Sequence, residues 1–281
     1  MEKEVDIVAL GELLIDFTEA GQSKDGRRLF EQNPGGAPAN LLAAAAKFGR
    51  KTAFIGKVGK DMHGDFLKET LIRAGINTDN LIQDEKYFTT LAFVSLKENG
   101  EREFAFARKP GADTNLCMKE IDPEILENTR VFHVGSLSLT DDPSRTATYE
   151  AINIARNSGA VISYDPNYRA ALWSDPETAQ LRMQSLIPYV DMMKISDEET
   201  SLLTPYQDPE EAIQYLLRQG VHLVAVTLGR DGALIGNENG IIKAEGFSSH
   251  AVDTTGAGDS FWGVSSERIA LPFFIVFGDE R

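Results

Sequence analysis

The run Asp253-Thr254-Thr255-Gly256-Ala257-Gly258-Asp259-Ser260-Phe261 places two glycines and two carboxylates within nine residues. Glycines at 256 and 258 allow a tight turn and close approach of backbone to a ligand. The residues after this turn read as the start of a helix, so unpaired N–H groups and the positive dipole end face outward as an anion site. Asp259, in the first helical turn, would then sit beside a bound phosphate. A carboxylate there can take the proton of an attacking hydroxyl, and the chemistry predicted is phosphoryl transfer. Other phosphate motifs are excluded. There is no GxxxxGK[ST], and Gly256-x-Gly258-x-x-Phe261 lacks the third glycine of a dinucleotide fingerprint.

Four further segments carry polar groups at useful places. Asn33-Pro34-Gly35-Gly36-Ala37-Pro38-Ala39-Asn40 precedes an alanine-rich helix, Leu41–Phe48. Its paired glycines admit a ligand to the backbone, and Asn40 offers a donor and an acceptor to hydroxyls. Asp165-Pro166-Asn167-Tyr168-Arg169 follows a strand, where ligands of open α/β sheets bind, and Arg169 supplies a positive charge. Lys194-Ile195-Ser196-Asp197-Glu198-Glu199 and Thr227-Leu228-Gly229-Arg230-Asp231-Gly232 are two more strand-to-turn segments. Taken singly, Gly35-Gly36 reads as a turn, and the acidic residues at 197–199 as favoured by a helix start. His63, His133, His222 and His250 are dispersed with no cysteine cluster, so no zinc site is expected.

The elements that must position these groups alternate. Apolar runs at Val5–Leu10, Thr52–Val58, Val131–Gly135, Val161–Asp165, Met192–Ile195 and Leu223–Leu228 suit strands buried on both faces. Helical patterns lie between them, at Asp61–Gly75 and from Asp208 to Gly220. The alternation predicts an α/β fold: a doubly wound, mostly parallel sheet with right-handed crossovers. Two regions break the rhythm. Leu13–Glu31 holds two strand-like pieces around Gly21–Gly26, and Thr90–Ala107 reads as a hairpin turning at Glu98-Asn99-Gly100. Neither leads into a crossover helix, so they are expected to pair as a small β-lid over a cleft, residues 13–31 and 90–107.

The chain has 281 residues, 42% of them hydrophobic and 25% charged, which suffices for one large domain, 1–281. A formal net charge of -15 argues against nucleic acid or an anionic membrane as partner, and requires local positive groups for an anionic substrate. A single cysteine, Cys117, forms no intrachain disulfide and suits a reducing, cytoplasmic setting. The charged start MEKEVDIVAL is not a signal peptide, and no apolar run approaches a membrane span.

DTTGAGDSF resembles the C-terminal signature of the ribokinase (PfkB) family of sugar kinases, and NPGGAPAN the N-terminal one. DPNYRAALW and EREFAFARKPGAD are most similar to the family's fructokinase form. The resemblance covers about Val5 to Val264. It implies ATP-dependent phosphorylation of a sugar's primary hydroxyl, fructose to fructose 6-phosphate. The implied alternatives are 2-keto-3-deoxygluconate kinase and a catalytically impaired sugar-binding protein. Asp259 is implied as the base, with the amides of Gly256, Ala257 and Gly258 as the anion hole. Asp16, Gly35, Gly36, Asn40, Arg108, Asp165, Asn167 and Arg169 are implied to face the sugar. Lys194, Thr227, Gly229, Gly232, Gly256 and Gly258 are implied to face the nucleotide. Glu199 and Asp253 would act on Mg²⁺, Glu199 through water. In several members of the family the glycine loop also helps hold a monovalent cation such as K⁺. A homodimer through paired lids is the implied assembly. After Val264 the run SSERIALPFFIVFGDER departs from the family pattern and reads as a C-terminally incomplete domain. Ser265-Ser266-Glu267-Arg268 replaces the apolar run expected to dock the last helix.

Overall fold

The computed structural model describes residues 3–96, 102–247 and 256–269. The chain starts in the middle of its sheet. Strand β1 (Val5–Leu10) leads through β2 (Leu14–Gln22) and β3 (Arg28–Gly35) into helix α1 (Ala37–Lys47). Next come β4 (Thr52–Gly59), α2 (Met62–Arg73), β5 (Ile76–Asn77), β6 (Leu81–Asp84), β7 (Leu91–Leu96) and β8 (Arg102–Ala107). The second half runs through α3 (Pro123–Glu127), β9 (Thr129–Gly135), α4 (Ser144–Asn157), β10 (Val161–Asp165), α5 (Pro176–Gln184) and β11 (Met192–Ser196). It finishes with α6 (Thr200–Leu203), α7 (Pro209–Arg218), β12 (Leu223–Thr227), β13 (Ala233–Asn237), β14 (Gly240–Ala244) and α8 (Ala257–Ile269).

The main sheet has the order β14-β13-β12-β11-β10-β9-β1-β4-β5, with β6 also pairing β4. It is parallel from β12 to β5, and β13 and β14 add an antiparallel edge. The chain leaves β1 towards β4 and leaves β9 towards β10, so the winding reverses between two neighbouring strands. In open α/β sheets that reversal opens a crevice outside the carboxyl ends of the strands.

Both faces of the central parallel strands are buried, as their mostly apolar runs imply. Val8 and Leu10 belong to the core with Phe132, Val134, Ile162 and Tyr164 under α4, α5 and α7. Ile7 and Ala9 belong to the core with Phe54, Leu41, Leu42, Leu67 and Trp262 under α1, α2 and α8. Asp61 caps α2, its carboxylate accepting from His63 N and Gly64 N, and Asp208 does the same for α7 at Glu210 N and Glu211 N.

The lid is a separate four-stranded sheet in the order β3-β2-β7-β8. β2 runs antiparallel to β3 and parallel to β7, and β7 antiparallel to β8. The two irregular regions therefore do pair with each other. The expected hairpin turn at Glu98-Asn99-Gly100 lies outside the described residues. β3 runs past the expected end of the lid segment at Glu31, through Asn33 and Pro34 to Gly35, and Gly36 then stands at the N-cap of α1.

Up to Ser266, the last residue of α8 whose side chain is described, the helix is docked on the sheet and on α1. Trp262 is 1% exposed, and its indole Nε1–H donates to Ser163 Oγ at 2.9 Å. α8 needs no wide apolar face because it lies close against the alanine-rich α1. A Cβ at Gly263 would press on Leu41 O and approach Ala44 Cβ to 3.1 Å. Ser266 is fully buried, its hydroxyl without a partner. Residues 270–281 lie outside the described residues.

Candidate active site

The carboxyl ends of β1, β10, β11 and β12, the first turn of α8 and the inner face of the lid enclose a cleft of about 700 Å³. Of the residues singled out from sequence, Asp16, Gly36, Asn40, Asn167, Arg169, Lys194, Glu199, Thr227, Gly256, Ala257, Gly258 and Asp259 line it. Segments as far apart in the chain as Asp16 and Asp259 are thereby brought to one place.

Asp259 sits in the first turn of α8 and is 7% exposed. Its two carboxylate oxygens are held by two amides. Asn40 Nδ2 donates to Oδ2 at 2.9 Å, and Asn167 Nδ2 donates to Oδ1 at 3.0 Å. Burial, reinforced by the nearby Asp165 charge, pushes the Asp259 carboxyl up to about 6, against the pull of Asn40, Lys194 and Arg169. A carboxylate of that basicity is a competent proton acceptor near neutral pH.

Lys194, from β11, is the cation beside the glycine turn. A Cβ at Gly258 would lie 2.9 Å from its Nζ, so the glycine gives the ammonium room beside the loop. The ammonium makes a buried ion pair with Asp165 Oδ2 at 2.8 Å, and Asp165 Oδ1 has no partner. Burial opposes the lysine's charge, but the Asp165 charge and hydrogen bond outweigh it and hold its pKa above the usual value. The turn at Gly256, the α8 N-terminus and Lys194 together form a positive corner in an otherwise acidic protein.

The glycine pair makes room on the opposite wall. A Cβ at Gly35 would collide with the Asp16 carboxylate, which fills that space at the register pair Asp16↔Asn33. Burial raises the Asp16 pKa and the exposed Arg169 guanidinium partly offsets this. Glu199 accepts from Tyr168 N at 2.7 Å through Oε1, and from Ser196 N and Oγ through Oε2. It is the reciprocal acid of the cap at Ser196 while still lining the cleft.

Of the other residues expected at the site, Gly35, Arg108, Asp165, Gly229 and Gly232 are not among those lining the cleft. Arg108 is 4% exposed and does not reach into the main cleft among its lining residues. Its guanidinium pairs with Asp113 at 2.7 Å and donates to Thr140 Oγ1 and Leu137 O, so most of its donors hold the cleft wall. Gly229 and Gly232 form the turn between β12 and β13 rather than the cleft wall. At Gly232 the backbone of 244–246 passes too close for a Cβ. Asp253 lies outside the described residues.

Glu12 was missed by the sequence reading. It lies two residues past β1, is 4% exposed, and its Oε1 accepts from Ala37 N at 3.0 Å. It thus caps α1, whose own N-cap Gly36 has no side chain to do so. Its signal was available: a carboxylate directly after an apolar central strand falls at the crevice. Burial pushes its carboxyl up to about 7, against the pull of the Ala37 amide and Arg108. An acid with a raised folded-state pKa binds its proton more tightly folded than unfolded. Between about pH 4.5 and 7 its contribution to stability therefore falls as pH rises. Glu12→Gln removes this linkage. Its melting temperature relative to the parent is expected to rise from pH 5 to about pH 7 and to level off above that. A difference independent of pH would refute the linkage.

His133 forms the floor beneath α8. It is buried, its Nδ1 lies 2.9 Å from Ser163 Oγ, and burial lowers its pKa to about 3. The serine accepts from Trp262, which leaves its hydroxyl proton for a neutral His133.

A doubly wound sheet with a β-lid, an acid at a helix N-terminus and a glycine turn flanked by a lysine define a small-molecule phosphotransferase of the sugar kinase class. The chain belongs to the pfkB family of carbohydrate kinases, whose profile, described as pfkB family carbohydrate kinase, matches residues 5–270. It is similar to the Arabidopsis thaliana protein named Probable fructokinase-2, at 39% identity over 98% of this chain and 84% of the relative. It is also similar to solved structures. The ATP-bound fructokinase of Xylella fastidiosa superposes with a TM-score of 0.87 at 32% identity, over 96% of this chain and 82% of that one. The fructokinase of Vibrio cholerae O395, in its fructose, ADP and calcium ion bound form, gives 0.86 at 35% identity, over 95% and 84%.

Proposed function

We propose that this chain is an ATP-dependent fructokinase that phosphorylates the primary hydroxyl of fructose to give fructose 6-phosphate. The observation that carries the reading is the Asp259 carboxylate, clamped by Asn40 and Asn167 at the foot of α8 beside the glycine turn and Lys194. Sugar hydroxyls are to be held between Asp16 and the backbone at Gly35 and Gly36, with the lid strands β2, β7 and β8 above. Asp259 accepts the proton of the hydroxyl that attacks. The amides at Gly256, Ala257 and Gly258, with Lys194, receive the transferring phosphoryl charge. The lid keeps out water, the competing acceptor.

The donors present fit a Mg²⁺ held mainly by phosphate oxygens and water. Among the described residues no group of three or more His, Cys, Asp or Glu is arranged for a metal. Both Glu199 oxygens already accept protein N–H groups, which suits contact through water rather than direct coordination. A bound Mg²⁺ would supply positive charge against the transferring phosphoryl group, with Glu199 reaching it through water. A monovalent cation beside the glycine loop belongs to the same reading, as does a cytoplasmic homodimer in which exposed lid residues such as Phe30 and Phe93 meet their copies. No helix among the described residues is long and apolar enough to cross a membrane.

The test is an acceptor panel read by ADP release. Fructose is expected to give the highest kcat/KM, above ribose, adenosine and 2-keto-3-deoxygluconate. A clear preference for 2-keto-3-deoxygluconate would move the assignment to that kinase, and sugar binding without ADP release would make the chain a binding protein.

A further inference from the structure

Asn167 is the only non-glycine residue with positive φ among the described residues, at +46°. Left-handed backbone is uncommon outside glycine, and asparagine is among the residues that tolerate it. Its neighbours explain what the conformation achieves. Asp165, at the end of β10, is tied down by its ion pair with Lys194. Tyr168 N donates to Glu199 Oε1 at 2.7 Å, which ties the loop to the cap that opens after β11. Between these two anchors the side chain of Asn167 reaches across to α8 and donates to Asp259 Oδ1 at 3.0 Å. Asn40, from α1, holds the other oxygen.

We infer that Asn167 is a positioning residue for the reaction: its left-handed backbone aims an amide at the base Asp259 and, opposite Asn40, fixes the orientation in which the carboxylate meets the incoming hydroxyl. The inference rests on the reading of Asp259 as base. One N–H of this amide is committed to Asp259, while its second N–H and Oδ1 remain on the cleft side. A hydrogen bond from a neutral amide favours the charged carboxylate, so the clamp also keeps the base ionised. The charged groups acting on Asp259 are Asp165 from β10, which opposes ionisation, and Lys194 from β11 and Arg169 from the loop, which favour it. Removing Asn167 leaves these in place, so its effect is separable from theirs.

Three variants decide the matter. Asn167→Gly keeps the left-handed backbone and removes the amide. Asn167→Asp keeps shape and backbone tolerance but sets a second acid against Asp259. Asp259→Asn identifies the Asp259 carboxyl signal by its loss from the ¹³C spectrum. For Asn167→Gly, kcat is expected to fall about 10- to 100-fold, with calorimetric fructose affinity at pH 8 within about threefold of the parent. The acid limb of kcat/KM, and the ¹³C titration of Asp259 with it, are expected to move up by about one pH unit. Asn167→Asp is expected to move both further, because the like charge opposes ionisation. Should the glycine variant weaken fructose binding while kcat and the Asp259 titration stay put, Asn167 is a sugar contact and the inference is overturned. If the parent's acid limb does not follow the Asp259 titration, the reading of Asp259 as base fails instead, and the inference with it.

Discussion

Asp259→Asn is expected to lower kcat with fructose by about 10²- to 10⁴-fold, the usual worth of a general base. Fructose binding should stay within a few-fold. The replacement is nearly isosteric and still offers an oxygen to one of the two clamping amides. It cannot accept the hydroxyl proton. The parent enzyme makes a companion test. Asp259 is held at about 6 by burial and the Asp165 charge, so its basic form is lost as pH falls through that value. The parent's kcat/KM should therefore drop below about pH 6 with unit slope, and the residual activity of the variant should lack that limb. ADP release measured from pH 5 to 8, with calorimetric fructose titration, reads both. Near-parental turnover in the variant would remove Asp259 from the chemistry.

The second large effect is expected at Lys194. Lys194→Met removes one partner of a buried ion pair whose side chains are 7% and 2% exposed. Asp165 already has one oxygen without a partner, so the variant buries a carboxylate with little compensation. Such half-broken pairs cost about 3–5 kcal/mol. A domain of about 5–15 kcal/mol total stability would lose a large share. The double variant Lys194→Met, Asp165→Leu replaces both charges with apolar groups of similar bulk. It should recover most of the stability and none of the activity, because the cation beside Gly258 is still missing. Denaturant midpoints for the parent, single and double variants test the first half, and ADP release the second. A single variant as stable as the parent would mean that the pair is solvated and the inference from burial wrong.

The acidity of the protein makes the placement of its few local cations decisive. Lys194 and Arg169 both act on Asp259 and lie on the cleft wall, whereas Arg108 is consumed by Asp113 and the turn at 137–140. Arg108 looked equally available in the sequence because a basic residue at a hairpin end gives no sign of the acid that will meet it. Its partner lies only five residues on, but the pairing requires the chain to fold back at Pro110 and Gly111.

Local rules were enough for much of this protein. Six predominantly apolar runs without period-2 alternation, set among helical patterns, point to a buried parallel sheet, since strands covered on both faces carry such runs. The capping aspartates at 61 and 208 and the glycine turn before Asp259 act within a few residues of themselves, so they are legible one at a time. The lid was legible as two stretches without crossover helices, though not its order, because β2 pairs with β7 across two intervening helices and several strands. What the tertiary structure alone decided is the state of each polar group. Asn40 and Asn167 belong to segments far apart in the chain, and only the winding reversal between β1 and β9 brings them to opposite oxygens of Asp259. Glu12 became the cap of α1, and Ser163 the link between His133 and Trp262, through contacts that no spacing along the chain encodes. The physical reason is that burial and partner choice are properties of the packed interior. A residue's type sets what it can donate or accept, and the fold sets which neighbour it finds and how much water it loses.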